Sequence, residues 1–156
     1  MKLLAIDPGN VQSAWVLFDY GMIADFAITL NADMPDHFDY LEHVAIEYMK
    51  PRGMPTAKEE MDTMFWAGRI VQAICGYDDI PWTPVHRMDV KLHLCGNARA
   101  KDKNVMQALK DRYGGNGCKG TKKNPGPLYG FHDDLWAALA VGLTFLDTRL
   151  HTGATQ

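Results

Sequence analysis

Two short apolar runs, each closing on a carboxylate, constrain this chain more than any other feature. Leu3-Leu4-Ala5-Ile6 ends in Asp7 and is broken at once by Pro8-Gly9. Val44-Ala45-Ile46 ends in Glu47-Tyr48, and the chain is then turned away by Lys50-Pro51-Arg52-Gly53. Runs of this length and composition predict buried strands of an α/β protein. Side chains alternate along a strand, so Leu3, Ala5 and Asp7 share one face, with Asp7 at the C-terminal end, where open α/β sheets place their ligands. Taken alone, Asp7 also reads as a turn-capping aspartate. Glu47 changes the reading. If the two strands are parallel neighbours, the acids lie side by side, and two anions in a low-dielectric site repel unless protonated or bridged by a cation. Hard oxygen ligands favour magnesium or manganese.

A third acid comes from His132-Asp133-Asp134, which opens a final helix expected from His132 to about Leu150 and apolar nearly all round at its start. One acid there would complement the helix dipole. Successive helical residues point about 100° apart, so Asp133 and Asp134 are not expected to face the same site. Asp134 adjoins the apolar run and is assigned inward, with Asp133 left as a cap or support. Asp7, Glu47 and Asp134 together suit metal-assisted phosphodiester hydrolysis, in which two ions about 3.5–4 Å apart assist attack and departure. No Walker loop, Rossmann glycine pattern or Ser-His-Asp order competes, and Gly114-Gly115-Asn116-Gly117 does not follow a strand.

Between these landmarks the pattern predicts antiparallel strands over Ser13–Phe18 and Met22–Thr29, joined by a turn at Asp19-Tyr20-Gly21. Pro35–Leu41 reads as a short helix or a loop. A long helix begins at Thr56, where Thr56 and Glu59 form a capping-box pattern. A strand follows over Trp82–His86, then helices over Asp89–Leu94 and about Asp102–Tyr113, the last capped by Asp102 and ended by Gly114-Gly115. Three antiparallel strands followed by helix-linked parallel ones make one domain over residues 1–150, with 151–156 as a tail.

Charge is unevenly spread. Arg87 to Lys123 holds ten basic residues against three acids, a balance of +7, while the rest holds six against sixteen, a balance of −10. The basic segment could meet phosphates, although a solvated lysine-rich surface gives the same count. Three dispersed cysteines suit neither a disulfide framework nor a zinc site. Met1-Lys2 enters the first strand without a signal-peptide pattern, and the longest apolar stretch, Leu135–Leu146, is too short to span a bilayer. The expectation is a soluble cytoplasmic protein.

Ile6-Asp7-Pro8-Gly9, Ala45-Ile46-Glu47, Gly96-Asn97-Ala98-Arg99-Ala100-Lys101 and Asp134 followed by Leu139-Ala140 together resemble the RuvC family of Holliday-junction resolvases. The stretches His93–Asp102 and Lys122–Gly130 resemble its phage-encoded branch most. The resemblance implies a ribonuclease-H-like mixed five-stranded sheet flanked by helices. It also implies a homodimer that cuts four-way junctions and other branched DNA with Mg²⁺, Mn²⁺ being an alternative. Asp7, Glu47 and Asp134 would be catalytic metal ligands. Lys91 would stand where the family has a basic residue near DNA, and Lys101 and Lys103 flank another such position, occupied here by Asp102. Arg99, Lys119, Lys122 and Lys123 join them as expected phosphate contacts. Met54 and Tyr48 would lie near the junction centre, and the long helix would form the dimer interface through Met61, Phe65 and Trp66. Cellular members carry two ligands three residues apart on the last helix; here the residues three after and three before Asp134 are Ala137 and Phe131. Either three acids suffice, or Asp133 or His132 completes the site, or the chain is a branched-DNA-binding module that does not cleave.

Overall fold

The computed structural model describes residues 1–50 and 53–152, so Pro51, Arg52 and residues 153–156 of the expected tail lie outside the described residues. Its strands are β1 (Lys2–Asp7), β2 (Gln12–Asp19), β3 (Met22–Leu30), β4 (His43–Glu47) and β5 (Trp82–Val85). Its helices are α1 (Lys58–Cys75), α2 (Arg87–Cys95), α3 (Asp102–Arg112) and α4 (Leu135–Thr152), with 3₁₀ turns at Asn31–Asp33 and Gly115–Gly117. The sheet order is β3-β2-β1-β4-β5. β1 runs antiparallel to β2 and parallel to β4; β2–β3 is antiparallel and β4–β5 parallel. The hairpin between β2 and β3 turns through Tyr20 and Gly21 at φ 47° and 80°. Both residues are left-handed, as the twist of a two-residue hairpin loop requires.

Differences from the sequence expectation fall at element ends and have local causes. α1 begins at Lys58 rather than Thr56: the Ala57 N–H donates to the Glu60 carboxylate at 3.3 Å, so the capping acid is one residue later than the Thr56/Glu59 pattern. Pro35–Leu41 is loop, and the only helical turn in that region is Asn31–Asp33. α2 starts at Arg87, two residues early, with His86 in an extended conformation before it. α4 starts at Leu135 rather than His132, because Asp133 takes φ 43°, which no right-handed helix accepts. Among the described residues no helix is long and apolar enough to cross a membrane.

Alternation on β1 divides the interior into two cores. Leu4 and Ile6 join Trp15, Val44 and Ile46 beneath Ala67, Ile70 and Ile74 of α1. Leu3 and Ala5 face the other way, with Val16, Phe18 and Ala45, beneath α4 and the inner faces of α2 and α3. α1 therefore covers one face alone. α4 is buried on nearly every side between Leu135 and Phe145, which is why its apolar residues lack a single stripe. It reaches the sheet closely because Ala5, Ala14 and Ala45 are small and because residue 142 has no side chain. A Cβ on Gly142 would stand 2.2 Å from the Phe18 ring and 2.9 Å from Ala5 Cβ. At the far end Arg112 forks onto Asp147 at 2.5 and 2.7 Å, and His93 meets the same carboxylate at 2.8 Å, tying α2, α3 and α4 together. Gly142→Ala should destabilise the protein by about 1–3 kcal/mol, overpacking outweighing alanine's better helix propensity. Urea unfolding monitored by circular dichroism checks this, and a neutral or stabilising result would contradict the close seat of α4.

Candidate active site

The parallel register pairs Ile6 with Ile46, so the next residues, Asp7 and Glu47, leave adjacent strands together at the same edge of the sheet. Each acid follows the parity of Ala5 and Ala45, toward the α4 side. A buried polar trio fixes the turn beyond Asp7. Ser13 Oγ donates to Asn31 Oδ1 at 2.6 Å, and Asn31 Nδ2 donates to the Gly9 carbonyl at 2.9 Å. The Gly9 N–H donates to Ser13 Oγ at 3.4 Å. The Asn31 N–H donates to the Val11 carbonyl at 2.9 Å, closing the 3₁₀ turn onto the same loop. Gly9 itself admits no side chain, since a Cβ would lie 2.3 Å from the Gln12 carbonyl oxygen. Nothing in the sequence pattern marked Ser13 or Asn31, because their pairing crosses from β2 to the end of β3.

The third acid arrives by a different route. Asp133 and Asp134 form the turn ahead of α4, so the 100° helical offset between them does not apply, and both line one cavity with Glu47. The Asp134 carbonyl accepts from Ala137 and Ala138 at 3.0 Å, placing it at the head of the helix. Asp133 lies beside His132 at 3.0 Å, both side chains largely exposed. Phe131 is fully buried, and Ala137 lines the cavity without a polar atom to contribute.

Burial pushes the Asp7 carboxyl well above the ordinary carboxylate range, and the charges of Glu47 and then Asp134 push it further; Arg87 pulls weakly the other way. Glu47 is also raised, by burial, against the charge and hydrogen bond of Arg87. The structure thus brings Asp7, Glu47 and Asp134 into one electrostatic cluster. Its donors are hard oxygens, and its excess negative charge is of the kind that a divalent cation neutralises. Among the described residues, however, no three histidine, cysteine or acidic side chains stand close enough to hold one ion. Glu47 is instead turned onto Arg87, Oε1 to Nη1 at 3.3 Å.

One side chain beside the cluster, Asp102, has a role that the sequence did not suggest. Asp102 caps nothing: the N-cap of α3 is Lys101, and the Asp102 carboxylate accepts from Arg87 Nη2 at 2.8 Å and pairs with Lys91 Nζ at 3.1 Å. Those cations hold it below the ordinary range against its own partial burial. On the other side of Glu47, a cavity of about 180 Å³ is lined by Asp7, Pro8, Glu59, Glu60, Thr63 and Met64, so the first turn of α1 adds carboxylates at the edge of the cluster. A further cavity of about 490 Å³ adjoins it through Glu60 and Met64 and is walled by Tyr48, Met49 and Met54.

The expected phosphate contacts are spread around this region. Lys91 is mostly covered and committed to Asp102, while Arg99, Lys101 and Lys103 are exposed on the link from α2 to α3 and on the first turn of α3. Lys119 lies 5.5 Å from the centre of the Trp136 ring and Lys110 5.7 Å from it, so both sit against a wall of the Glu47 cavity. Lys122 and Lys123 are exposed at the tip of the loop between α3 and α4. That loop is pinned at its base by the Gly126 N–H donating to the Lys119 carbonyl at 2.9 Å and the Leu128 N–H to the Cys118 carbonyl at 3.0 Å.

No family model matches the chain, and neither does any curated protein. Among solved structures it is similar to RuvC of Thermus thermophilus, with a TM-score of 0.67 and 20% sequence identity over 97% of this chain and 98% of that one. It is equally similar to T. thermophilus RuvC in complex with a Holliday junction substrate, at TM-score 0.67 and 20% identity, over 97% of each chain. At that identity the likeness shows the fold, which is ribonuclease-H-like: a mixed five-stranded sheet flanked by four helices.

The Ser13–Asn31–Gly9 trio gives a direct test of how the turn beyond Asp7 is held. Asn31→Ala leaves the Gly9 carbonyl and the Ser13 hydroxyl without their buried partner and should cost about 1–3 kcal/mol, read as a lowered urea midpoint. Stability within a few tenths of a kcal/mol of wild type would show that the trio does not hold the turn.

Proposed function

We propose that this chain is a divalent-metal-dependent endonuclease that cuts branched DNA, four-way junctions foremost, acting as a homodimer in the cytoplasm. The observation that carries the reading is the carboxylate cluster at the C-terminal ends of two parallel strands and the head of a buried helix. The fold shared with a protein solved on a Holliday junction substrate supports the choice of DNA. Asp7, Glu47 and Asp134 would hold the metal, Mg²⁺ or Mn²⁺. Once bound, it supplies Lewis-acid stabilisation of charge on the phosphate and activation of water. The chain's own part is positional. The β1–β4 register sets two acids side by side, the trio at Gly9 fixes the turn beyond them, and the sheet edge keeps them from bulk water. Lys91, Arg99, Lys101, Lys103, Lys119, Lys122 and Lys123 would draw and orient the DNA backbone through its phosphates.

A second reading is a module of the same fold that binds branched DNA without cutting it. Ala137 favours it, since it puts a methyl group where a further ligand would complete the set, as does the engagement of Glu47 by Arg87. End-labelled four-way junction, fork and linear duplex, each incubated with Mg²⁺, Mn²⁺ or EDTA, separate the two. Metal-dependent paired nicks in the junction support the nuclease; tight binding without nicks under every condition supports the module. Within the first reading, Asp7→Asn, Glu47→Gln and Asp134→Asn should each lower junction cleavage more than a hundredfold while binding in EDTA is kept or strengthened. Asp133→Asn should cleave within tenfold of wild type. Cleavage by Asp7→Asn or Glu47→Gln within tenfold of wild type would remove these residues from the chemistry.

The dimer rests on the outer face of α1. Met61 and Phe65 are each 61% exposed, one turn apart, and Gly68 beyond them leaves open space within 4 Å of where a Cβ would be. Arg69 lies over the rings of Phe65 and Trp66 at 5.7 and 5.0 Å, so the face combines aromatic surface with a cation. A patch of this kind suits a two-fold contact in which the same helix meets its copy. Sedimentation velocity at micromolar concentration should give a dimer, and Phe65→Asp a monomer that has lost paired cutting. A wild-type monomer that nicks both strands in one encounter would refute it.

A further inference from the structure

Arg87 is the point where the acidic cluster meets the basic segment. It opens α2, directly after β5, and its guanidinium bridges two acids from different elements: Glu47 at the end of β4 and Asp102 at the start of α3. The two contacts are unequal. The one to Asp102 is short, 2.8 Å; the one to Glu47 is a single bond of 3.3 Å, near the limit for such an interaction. Exposure runs the opposite way. The Glu47 side chain is 13% exposed, Arg87 48% and Asp102 67%. The guanidinium thus stands half in solvent with one edge against a buried carboxylate. Of its five N–H donors, the contacts described use only those on the two terminal nitrogens.

The surroundings indicate what else this cation could meet. A cavity of about 270 Å³ beside Glu47 is lined by Lys50, His86, Arg87 and Lys91, with Met88 and Ala98. Acids already answer three of these: Lys50 pairs with Asp89 at 3.5 Å, while Lys91 and Arg87 share Asp102. His86 Nδ1 is 2.8 Å from the Tyr48 carbonyl oxygen. Partners on this side are therefore exposed carboxylates, which an incoming phosphate can replace, whereas Glu47 is covered and has Arg87 as its only hydrogen-bonding cation among the described residues. A planar guanidinium suits the exchange because it meets carboxylate and phosphate oxygens with the same two-pronged geometry.

We propose that Arg87 is a phosphate-contacting residue of this site, held on Glu47 as its counter-ion in the DNA-free protein and transferred to the DNA backbone when substrate arrives, which releases Glu47 to a divalent cation. The proposal rests on the nuclease reading above. Asp102 is the exposed partner in the DNA-free protein: it draws the guanidinium toward solvent and gives way to phosphate together with Glu47. Cation loading and DNA binding then favour one another, since each relieves the charge the other would meet, and coupling of this kind is reciprocal.

The test uses the full chain and two measurements that need no turnover. Mn²⁺ is titrated into DNA-free protein with free Mn²⁺ followed by electron paramagnetic resonance, and four-way junction binding is measured in EDTA by anisotropy between 50 and 200 mM salt. Arg87→Gln should bind Mn²⁺ at least threefold more tightly than wild type, because the competing cation is gone. It should bind the junction more weakly, with a salt slope shallower by about 0.9, one phosphate contact. Unchanged or weaker Mn²⁺ affinity, or an unchanged salt slope, overturns the proposal and leaves Arg87 as a structural ion pair. Asp102→Asn gives a second arm that keeps the guanidinium: with its stronger partner removed, junction binding in EDTA should tighten at least threefold, and unchanged binding counts against the exchange. Glu47→Gln is measured alongside. Mn²⁺ binding undiminished in Glu47→Gln would remove the carboxylate site itself. Loss of Mn²⁺ binding there, beside wild-type Mn²⁺ affinity in Arg87→Gln, would remove only the role given to Arg87.

Discussion

Two carboxylates that leave neighbouring parallel strands at the same level have to be reconciled with each other, and much of the structure follows from how that is done. Separation along the strands is not available, because the register from Leu3 and His43 to Ile6 and Ile46 carries the pairing directly up to them. Nor is retreat into water, since α4 and the first turn of α1 close on the sheet edge from two sides. What remains is neutralisation. It is divided between a raised proton affinity at Asp7 and an arginine at Glu47, two responses to one electrostatic demand. A site in which burial raises one acid's proton affinity and a guanidinium meets the other favours any ligand that brings positive charge, and this links the fold to the proposed chemistry.

The helices serve that edge in different ways. α4 is a wedge, brought close by alanines on three strands and by the bare backbone at Gly142, and its head carries Asp134 within electrostatic reach of Asp7. α2 and α3 are braced against α4 at the opposite end by the Asp147 cluster. The brace leaves their near ends, with Arg87, Lys91 and Asp102, as the part that faces the acids. α1 packs with one side only and keeps an aromatic outer face.

Much of this was legible in the residues. β1, β2, β3 and β4 were readable because apolar runs and alternation are local signals, and the acids at their ends could be placed as soon as a parallel pairing was assumed. The start of α4 is not legible in this way, because the positive φ of Asp133 belongs to a turn that periodicity does not encode. Asp102 stands in sequence where caps stand; only the fold shows that α2 brings two cations to it. Asn31 and Ser13 were invisible for a related reason. Each is unremarkable among its sequence neighbours, and what matters is the hydrogen bond from β2 to the 3₁₀ turn after β3. Local order can be read from neighbours in sequence, whereas electrostatic and hydrogen-bonded pairings between elements cannot.

The loop between α3 and α4 separates two jobs that short loops usually combine. Its base is knotted by backbone hydrogen bonds, with Cys118 and Leu128 sunk in the core, while Thr121 to Pro125 stand outside. The outer segment can therefore be rewritten, in length as well as charge, without disturbing the approach of the chain to Asp134. Under the proposed function, selection on which DNA shapes are held would find room for variation there, and the acidic edge would pass through such a history unaltered.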